Sequence, residues 1–399
     1  MNKKIAVLVI FLSAQLSAQT PWPSSNWDVS TNLTPIMSAS GVEGLSGVHY
    51  NPTKNQLFLV QDIGRLRIIQ LNEQGNHLQL TDRNLGCDLE GVMQINDSDN
   101  EFWALCENEY IIKRYQYNAN FSSVTVVRSW DLLLPQSGMV ETVDGPEGIC
   151  FVPDSYLDSA NFISSVTGQG YTSQKGMGGL VFVAHQYLGQ IWVFDINKNV
   201  NNDYVLVGIY NSNRQESCGL SFDRSTGLLY ILHNIDNNFL EVCDLSVTLV
   251  NNQYKLNTVQ EFNVTLPTNG GNNIEGVAVS PKCDMPNQQT VWLVRDVSGP
   301  QSNNALKEFR PFGLVGACAI AGVSEENSAF VVAPNPVENV LFCQNTAEQV
   351  TAIIYNLQGK EIGVFLIEPG QNQLDLSHLD VGIYVFKAGA FTQKIIVSR

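Results

Sequence analysis

Three glutamates each stand directly before a glycine that opens an apolar run. They are Glu90 in Asp88-Leu-Glu-Gly-Val-Met-Gln94, Glu147 in Gly145-Pro-Glu-Gly-Ile-Cys-Phe151 and Glu275 in Asn273-Ile-Glu-Gly-Val-Ala-Val279. Two more segments share the phrase with another residue at the acidic place, Ser46 in Gly44-Leu-Ser-Gly-Val-His-Tyr50 and Cys218 in Ser217-Cys-Gly-Leu-Ser-Phe222. Aligned on the glycine, the five places are 44, 57, 71 and 57 residues apart. Carboxylates brought to one point cannot all stay ionised without a cation. Calcium, a hard ion that takes carboxylate and carbonyl oxygens, is the natural partner outside the cell. Asp62, Glu107 and Asp296, each just after the next apolar run of its repeat, extend the metal candidates to a second layer. The competing reading is that each glutamate caps turn amides between strands, and spacing alone leaves both open.

His185 and His233 occupy equivalent places after the apolar runs Val181-Phe-Val-Ala184 and Leu229-Tyr-Ile-Leu232. With Arg295 they are ligand-binding candidates, expected to face one channel mouth and to suit an anionic or hydroxylated ligand. No Gly-x-Ser-x-Gly elbow and no His-Glu-x-x-His pair occurs, so no catalytic residue is assigned.

The elements that must position these residues are strands. Each phrase is followed by a short continuous apolar run: Leu57-Phe-Leu-Val60, Phe102-Trp-Ala-Leu105, Val181-Phe-Val-Ala184, Leu229-Tyr-Ile-Leu232 and Val291-Trp-Leu-Val294. Such runs predict strands buried on both faces. More polar strands come third, such as Ile111 to Tyr117 and Gln190 to Ile196, and no segment sustains a helical period. A multi-strand unit recurring at this interval predicts an all-β chain built as a β-propeller. The first phrase of each unit becomes the innermost strand, its glycine permitting close approach at the axis. Counting phrases gives five blades. A sixth is conceivable from Trp27 to Met37 with Thr258 to Leu266. The Ser/Gly-rich stretch Asp154 to Gly179 reads as a surface insertion.

The C-terminal segment has its own pattern: Ala333-Pro-Asn-Pro-Val-Glu-Asn-Val-Leu-Phe-Cys343, Ile354-Tyr-Asn-Leu-Gln-Gly-Lys-Glu-Ile362, Leu374-Asp-Leu-Ser-His-Leu-Asp-Val-Gly-Ile-Tyr-Val-Phe386 and Lys394-Ile-Ile-Val-Ser-Arg399. Alternating short strands and turns, with glycines placed for positive φ at Gly359 and Gly382, predict a small β-sandwich-like module. The four blocks, in this order, resemble the type A C-terminal sorting domain of the type IX secretion system. That resemblance implies the secretion machinery as a partner. At the other end, Lys3 and Lys4 precede the apolar run Ile5 to Leu12 and small residues follow, which predicts a secretory signal peptide. The expected organisation is therefore signal peptide 1–19, propeller 20–312, linker 313–327 and sorting domain 328–399. Export by way of the periplasm to the medium or the outer-membrane surface follows, with no transmembrane segment in the mature chain.

The order of the phrases "LSG", "LEG", "PEG", "CGL" and "IEG" looks like the SdiA-regulated propellers, and two related families share the phrase, the esterase-like phytase domain and, more remotely, the metal-binding gluconolactonase-type propellers. The resemblance implies a fold rather than an activity. The formal charge of −16 argues against nucleic acid and anionic lipid as partners. Export permits disulfides, and Cys87 with Cys106 and Cys283 with Cys318 are the candidate pairs. Cys106, Cys150 and Cys218 also fit the description of small buried hydrophobes. Two functions remain: an exported propeller that binds an extracellular ligand or partner, and a calcium-dependent hydrolase of phosphate esters, carboxylate esters or lactones working through metal-activated water.

Overall fold

The second apolar run of each repeat is hydrophobic on both faces because it serves two interfaces at once. In the strand Glu101–Cys106, Phe102 and Ala104 enter one core while Trp103 and Leu105 enter the next. The same two-residue alternation separates Phe58 and Val60 from Leu57 and Leu59, and Tyr230 and Leu232 from Leu229 and Ile231. A strand needs such a pattern when both faces of its sheet are covered, here by the neighbouring sheets.

The structure is a computed structural model that describes residues 20–235, 237–283, 289–313, 330–333, 336–345, 349–356, 359–388 and 391–398. The signal peptide expected over 1–19, and all of the expected linker except Gly313, lie outside the described residues. The chain divides into two compact units, Met1–Cys318 and Ala319–Arg399.

The described residues of the first unit form five four-stranded antiparallel blades, and one parallel bridge, Asn211 with Lys255, joins the outer strands of the third and fourth into a single eight-stranded sheet. Blade one runs outward through Leu45–Asn51, Gln56–Gln61, Arg65–Gln70 and Leu78–Asn84, and blade two through Leu89–Met93, Glu101–Cys106, Ile111–Tyr117 and Val124–Asp131. Blade three comprises Pro146–Pro153, Gly179–His185, Gln190–Ile196 and Tyr204–Asn211, and blade four comprises Ser217–Asp223, Leu228–His233, Phe239–Val250 and Gln253–Asn263. Blade five is built from Ile274–Val279, Val291–Arg295 and Leu306–Phe309, and its outermost strand is the N-terminal Thr31–Asn32. Thr31 pairs with Glu308 and Asn32 with Lys307, so the beginning of the ring closes its end. Trp27 to Met37 is thus part of blade five, and Thr258 to Leu266 lies in and just past the outer strand of blade four. The described residues form five blades, and the sixth is not made.

Five hydrophobic cores fill the five junctions. Blades one and two share Phe58, Ile68, Phe102 and Tyr115, and blades five and one share Leu57, Leu59, Trp292 and Leu306. Between blades two and three, Trp103 stacks on Trp130 with ring centroids 4.5 Å apart.

At the axis the ring closes on its glycines. A Cβ placed on Gly47 would lie 2.4 Å from the Glu90 carbonyl oxygen, on Gly91 2.5 Å from that of Glu147, and on Gly148 2.9 Å from that of Cys218. On Gly219 it would lie 2.6 Å from the Glu275 oxygen, and on Gly276 2.5 Å from the Ser46 oxygen, which completes the circle. Real Cβ contacts are essentially never shorter than 3.0 Å, so each inner strand approaches its neighbour as only glycine permits.

The stretch Asp154 to Gly179 is a surface insertion that is anchored to the blade beneath it. It opens with the helix Asp154–Ser159, and it buries Leu157 and Phe162 against blade three. The fully buried Asp195 accepts hydrogen bonds from Tyr171 Oη (3.0 Å), Ser173 Oγ (2.9 Å) and Gln174 N (2.6 Å), which pin the segment down.

The second unit packs two sheets around one core. Phe330–Ala333, Val340–Asn345 and Gly370–Asp375 form the first, and Glu361–Ile367, Val350–Asn356, Gly382–Ala388 and Phe391–Val397 the second. Leu341, Cys343 and Leu374 meet Ile354, Phe386 and Ile395 between them. Gly359 has the expected positive φ of 74°, whereas Gly382 begins a strand without one.

Gly276→Ala should lower unfolding free energy by about 1–3 kcal/mol, the usual cost of overpacking a tight site. Gly170→Ala, where a Cβ meets nothing within 4 Å, should stay within about 0.5 kcal/mol of wild type. Urea denaturation midpoints of the two variants check this.

Candidate cation site at the propeller axis

Immediately before each axial glycine the inner strand carries a bulge, at Leu45/Gly47, Leu89/Gly91, Pro146/Ile149, Ser217/Gly219 and Ile274/Gly276. Ser46, Glu90, Cys218 and Glu275, and Glu147 together with Gly148, fall in these gaps and have no partner on the second strand. Bulges turn side chains out of the regular pleat. The five carbonyls ring one axis, as the glycine contacts require, so the equivalence read from the sequence holds. Glu43 lies outside the ring, accepting from Gly299 N at 2.9 Å.

Below the ring, Val48, Val92, Ile149, Leu220 and Val277 line an axial cavity of about 10 Å³ together with Glu90, Cys218, Glu275 and the glycines. That is roughly the room for one water-sized particle. Around the ring stands the acidic layer. Glu107 reaches from blade two to accept from Gly145 N of blade three at 3.0 Å. Asp62 packs on Gly44, and its oxygen accepts from Ile63 N. Asn273 Nδ2 donates to Glu275 Oε1 at 2.8 Å and to Asp296 Oδ2 at 3.1 Å.

These carboxylates crowd one another. Glu90 is 8% exposed and Glu147 6%, and Glu147 Oε2 has no hydrogen-bond partner among the described residues. Burial pushes both carboxyls well above the ordinary range, and repulsion adds to it, from Glu275 and Glu107 on each and from Glu90 on Glu147. Glu275 is pushed up to about 8, by burial first and then by Asp296. Burial also raises Asp62, Asp88 and Glu107. Oxygens of Asp88, Glu90 and Glu107 lie within 4.8 Å of one another. Asp88 was not singled out in the sequence. Its signal was its place two residues before Glu90, on the same face of an extended chain.

The three ligand-binding candidates are placed otherwise. His185, His233 and Arg295 are equivalent in register, each ending the second strand of its blade opposite Pro146, Ser217 and Ile274. Arg295 is wholly buried, and its guanidinium donates to the carbonyls of Gly270 and Gly271 (both 2.8 Å), Gln301 (2.8 Å) and Asn304 (3.3 Å) and to Asn304 Oδ1. It ties loops rather than facing a channel mouth. His233 links Ser217 Oγ at 3.3 Å to Glu241 Oε2 at 2.9 Å, and Glu241 accepts in turn from Thr258. The order serine, histidine, glutamate has the form of a catalytic relay, but Ser217, His233 and Glu241 are each 0% exposed. The chain of bonds crosses all four strands of blade four and acts as a brace. His185 is buried and accepts from Tyr187 N at 3.2 Å, and burial lowers its pKa to about 4.

Cys87 and Cys106 form a disulfide, one of the two expected pairs. Cys283 is also disulfide-bonded, and its expected partner Cys318 lies outside the described residues. Cys150 and Cys218 are free and buried. Burial pushes the Cys218 thiol up, and it donates to the Leu232 and Ile274 carbonyls.

Residues 331–398 match the secretion system C-terminal sorting domain family. The tail is thus a type IX sorting domain, and the chain is an exported protein destined for the cell surface or the medium. Among the described residues no helix is long and apolar enough to cross a membrane. Among solved structures, the glutaminyl cyclase of Myxococcus xanthus is similar at 12% identity and a TM-score of 0.41, over 67% of this chain and 90% of that one. No curated protein sequence matches the chain.

Raised carboxyl pKa values set the sign of a pH effect. The stability contribution of Glu90, Glu147 and Glu275 is full below the ordinary value of 4.5 and is lost as pH rises through their folded values, about 8 for Glu275. Chelator-treated protein should therefore be less stable at pH 8 than at pH 5. The drop should exceed about 1.4 kcal/mol, the worth of one pKa step at a single site. Urea titrations at the two pH values measure it, and Glu90→Gln with Glu147→Gln should flatten the difference.

Proposed function

We propose that this chain is an exported propeller that holds one calcium ion at the acidic end of its axis and uses that end to bind an extracellular ligand or partner. One observation carries the reading. Glu147 keeps a carboxylate oxygen nine-tenths buried and without a hydrogen-bond partner, in a ring with Glu90 and Glu275. If these residues were only turn caps, each buried oxygen would have an amide to accept from.

The donor set fits a hard cation. Asp88, Glu90, Glu107, Glu147 and Glu275 offer carboxylate oxygens, which suit calcium, magnesium or manganese. The Cys218 thiol is kept protonated by burial and supplies no soft ligand. Calcium takes six to eight oxygens in flexible geometry, which a crowded ring of mixed Asp and Glu can satisfy. Kinship of the five phrases with the SdiA-regulated propellers belongs to the same reading. The hydrolase alternative would work through a metal-activated water with a channel glutamate as base.

Calcium that binds the folded state alone must stabilise it. At a hundredfold excess over the dissociation constant the gain is about 2.7 kcal/mol, read as a rise in Tm against a chelator control. Glu90→Gln with Glu147→Gln should abolish that rise. If chelator leaves the wild-type Tm unchanged and elemental analysis finds no ion, the glutamates are structural and the proposal fails.

A further inference from the structure

The Cys87–Cys106 disulfide lies against the cation site, and its two half-cystines are each followed directly by one of the site's carboxylates, Asp88 and Glu107. We propose that this bond is the device that arms the site: only the oxidised chain holds Asp88 and Glu107 at ligating separation. The inference rests on the calcium reading above and adds to it the covalent step on which the site depends.

Blade two differs from its neighbours at this place. Cys106 ends the second strand in register with Gln61 and Arg295, and all three tie down the segment that leads into the inner strand. Gln61 does so with a hydrogen bond from Nε2 to the Glu43 carbonyl at 2.6 Å, and Arg295 with bonds to Gly270 and Gly271. Blade two makes the same tie with a covalent bond. It is also the blade that contributes Asp88, Glu90 and Glu107, whose oxygens lie within 4.8 Å.

The geometry transmits the constraint over one residue on each side. Glu107 N donates to Asp88 O at 2.9 Å, so the two backbones next to the disulfide are already joined. Cys87 has φ of 58° and follows Gly86 at 71°. A residue with a Cβ is disfavoured in this left-handed region, and the crosslink is one of the constraints on Cys87 there. With the bond cut, the stretch from Leu85 to Asp88 keeps the hydrogen bonds Leu85 N to Gly64 O, Glu107 N to Asp88 O and Asn108 Nδ2 to Asp88 Oδ2, and in this proposal these alone do not hold Asp88 at ligating separation from Glu107. Three mutually repelling carboxylates then lack the frame that brings them together.

The chemistry balances as thiol–disulfide exchange. The two thiols lose two electrons and two protons to the disulfide of an oxidising partner protein in the export compartment, which leaves as a dithiol. Cys87 is half-buried while Cys106 is fully buried, so the Cys87 thiolate attacks the partner's disulfide and displaces one partner thiolate, and the Cys106 thiolate then attacks the Cys87 sulfur of the mixed disulfide and displaces the second. Before export, in a reducing compartment, the thiols stay reduced and the site is not assembled.

Isothermal titration of calcium into the folded protein tests this, with Tm and circular dichroism confirming the fold. Three forms are compared: oxidised wild type, wild type reduced by dithiothreitol and alkylated, and Cys87→Ser with Cys106→Ser. Oxidised Cys283→Ala, which removes the disulfide that Cys283 makes, is the control and should bind as wild type does. The reduced protein and the double variant should bind calcium roughly 10–100-fold more weakly, as loss of a residue that orients metal ligands does. If either retains wild-type affinity, the disulfide does not arm the site, although the site itself stands. If oxidised wild type binds no calcium, the cation site falls and this inference falls with it. Should the double variant fail to fold, the reduced wild type decides.

Discussion

Five backbone contacts at the axis determine most of what this molecule can do. Each inner strand places a glycine against the carbonyl oxygen of the residue one position upstream of the glycine in the next blade, at distances that no Cβ tolerates. Because the contacts run from blade to blade and return to the first, they are satisfied together or not at all. The junction cores have the same dependence. Phe102 can face blade one and Trp103 blade three only if both neighbours are in place. Ring closure by Thr31–Asn32 on Leu306–Phe309 therefore stabilises every interface at once.

The same contacts create the electrostatic problem at the axis. Glycine requires the residue before it to sit on a bulge with its side chain released from the pleat, and in three blades that residue is glutamate. Tight packing below, with the aliphatic layer of Val48, Val92, Ile149, Leu220 and Val277, denies these side chains water on one side. Desolvation and repulsion between carboxylates then raise all three carboxyls, and the proposed cation would relieve that repulsion in the ionised form. Fold and site are thus linked, because what brings the blades close enough to pack also brings the charges together.

The ring was legible in the sequence because its cause is local. A glycine before an apolar run is visible, and five of them at blade-sized intervals fix both the repeat and the residues at the axis. The two-faced second strands were legible for the same reason. What the sequence hid depends on partners distant along the chain. Thr31–Asn32 carries no mark that it completes a blade ending at Phe309, so a sixth blade stayed open. His233 and Arg295 looked like ligand groups because their equivalence was visible while their partners, Glu241 and the carbonyls near Gly270, were not. Cys87 with Cys106 was already a candidate pair in the sequence, although Cys106 in an apolar run also fitted a buried hydrophobe, and the register of Leu89 against Cys106 is what brings the two together. In the tail, four blocks in fixed order sufficed to identify the sorting domain, which the family match over residues 331–398 bears out.

The central claim is that ring closure delivers buried carboxylates to one cation on the axis. Anomalous diffraction from crystals of the oxidised protein grown with calcium, or with a lanthanide in its place, addresses it most directly. The account predicts a single strong peak on the axis, about 2.3–2.6 Å from carboxylate oxygens when the ion is calcium, with Glu90 and Glu147 among its ligands. A structure with the five glycines in contact, no ion on the axis and the Glu90, Glu147 and Glu275 carboxyls hydrogen-bonded to turn amides would contradict it.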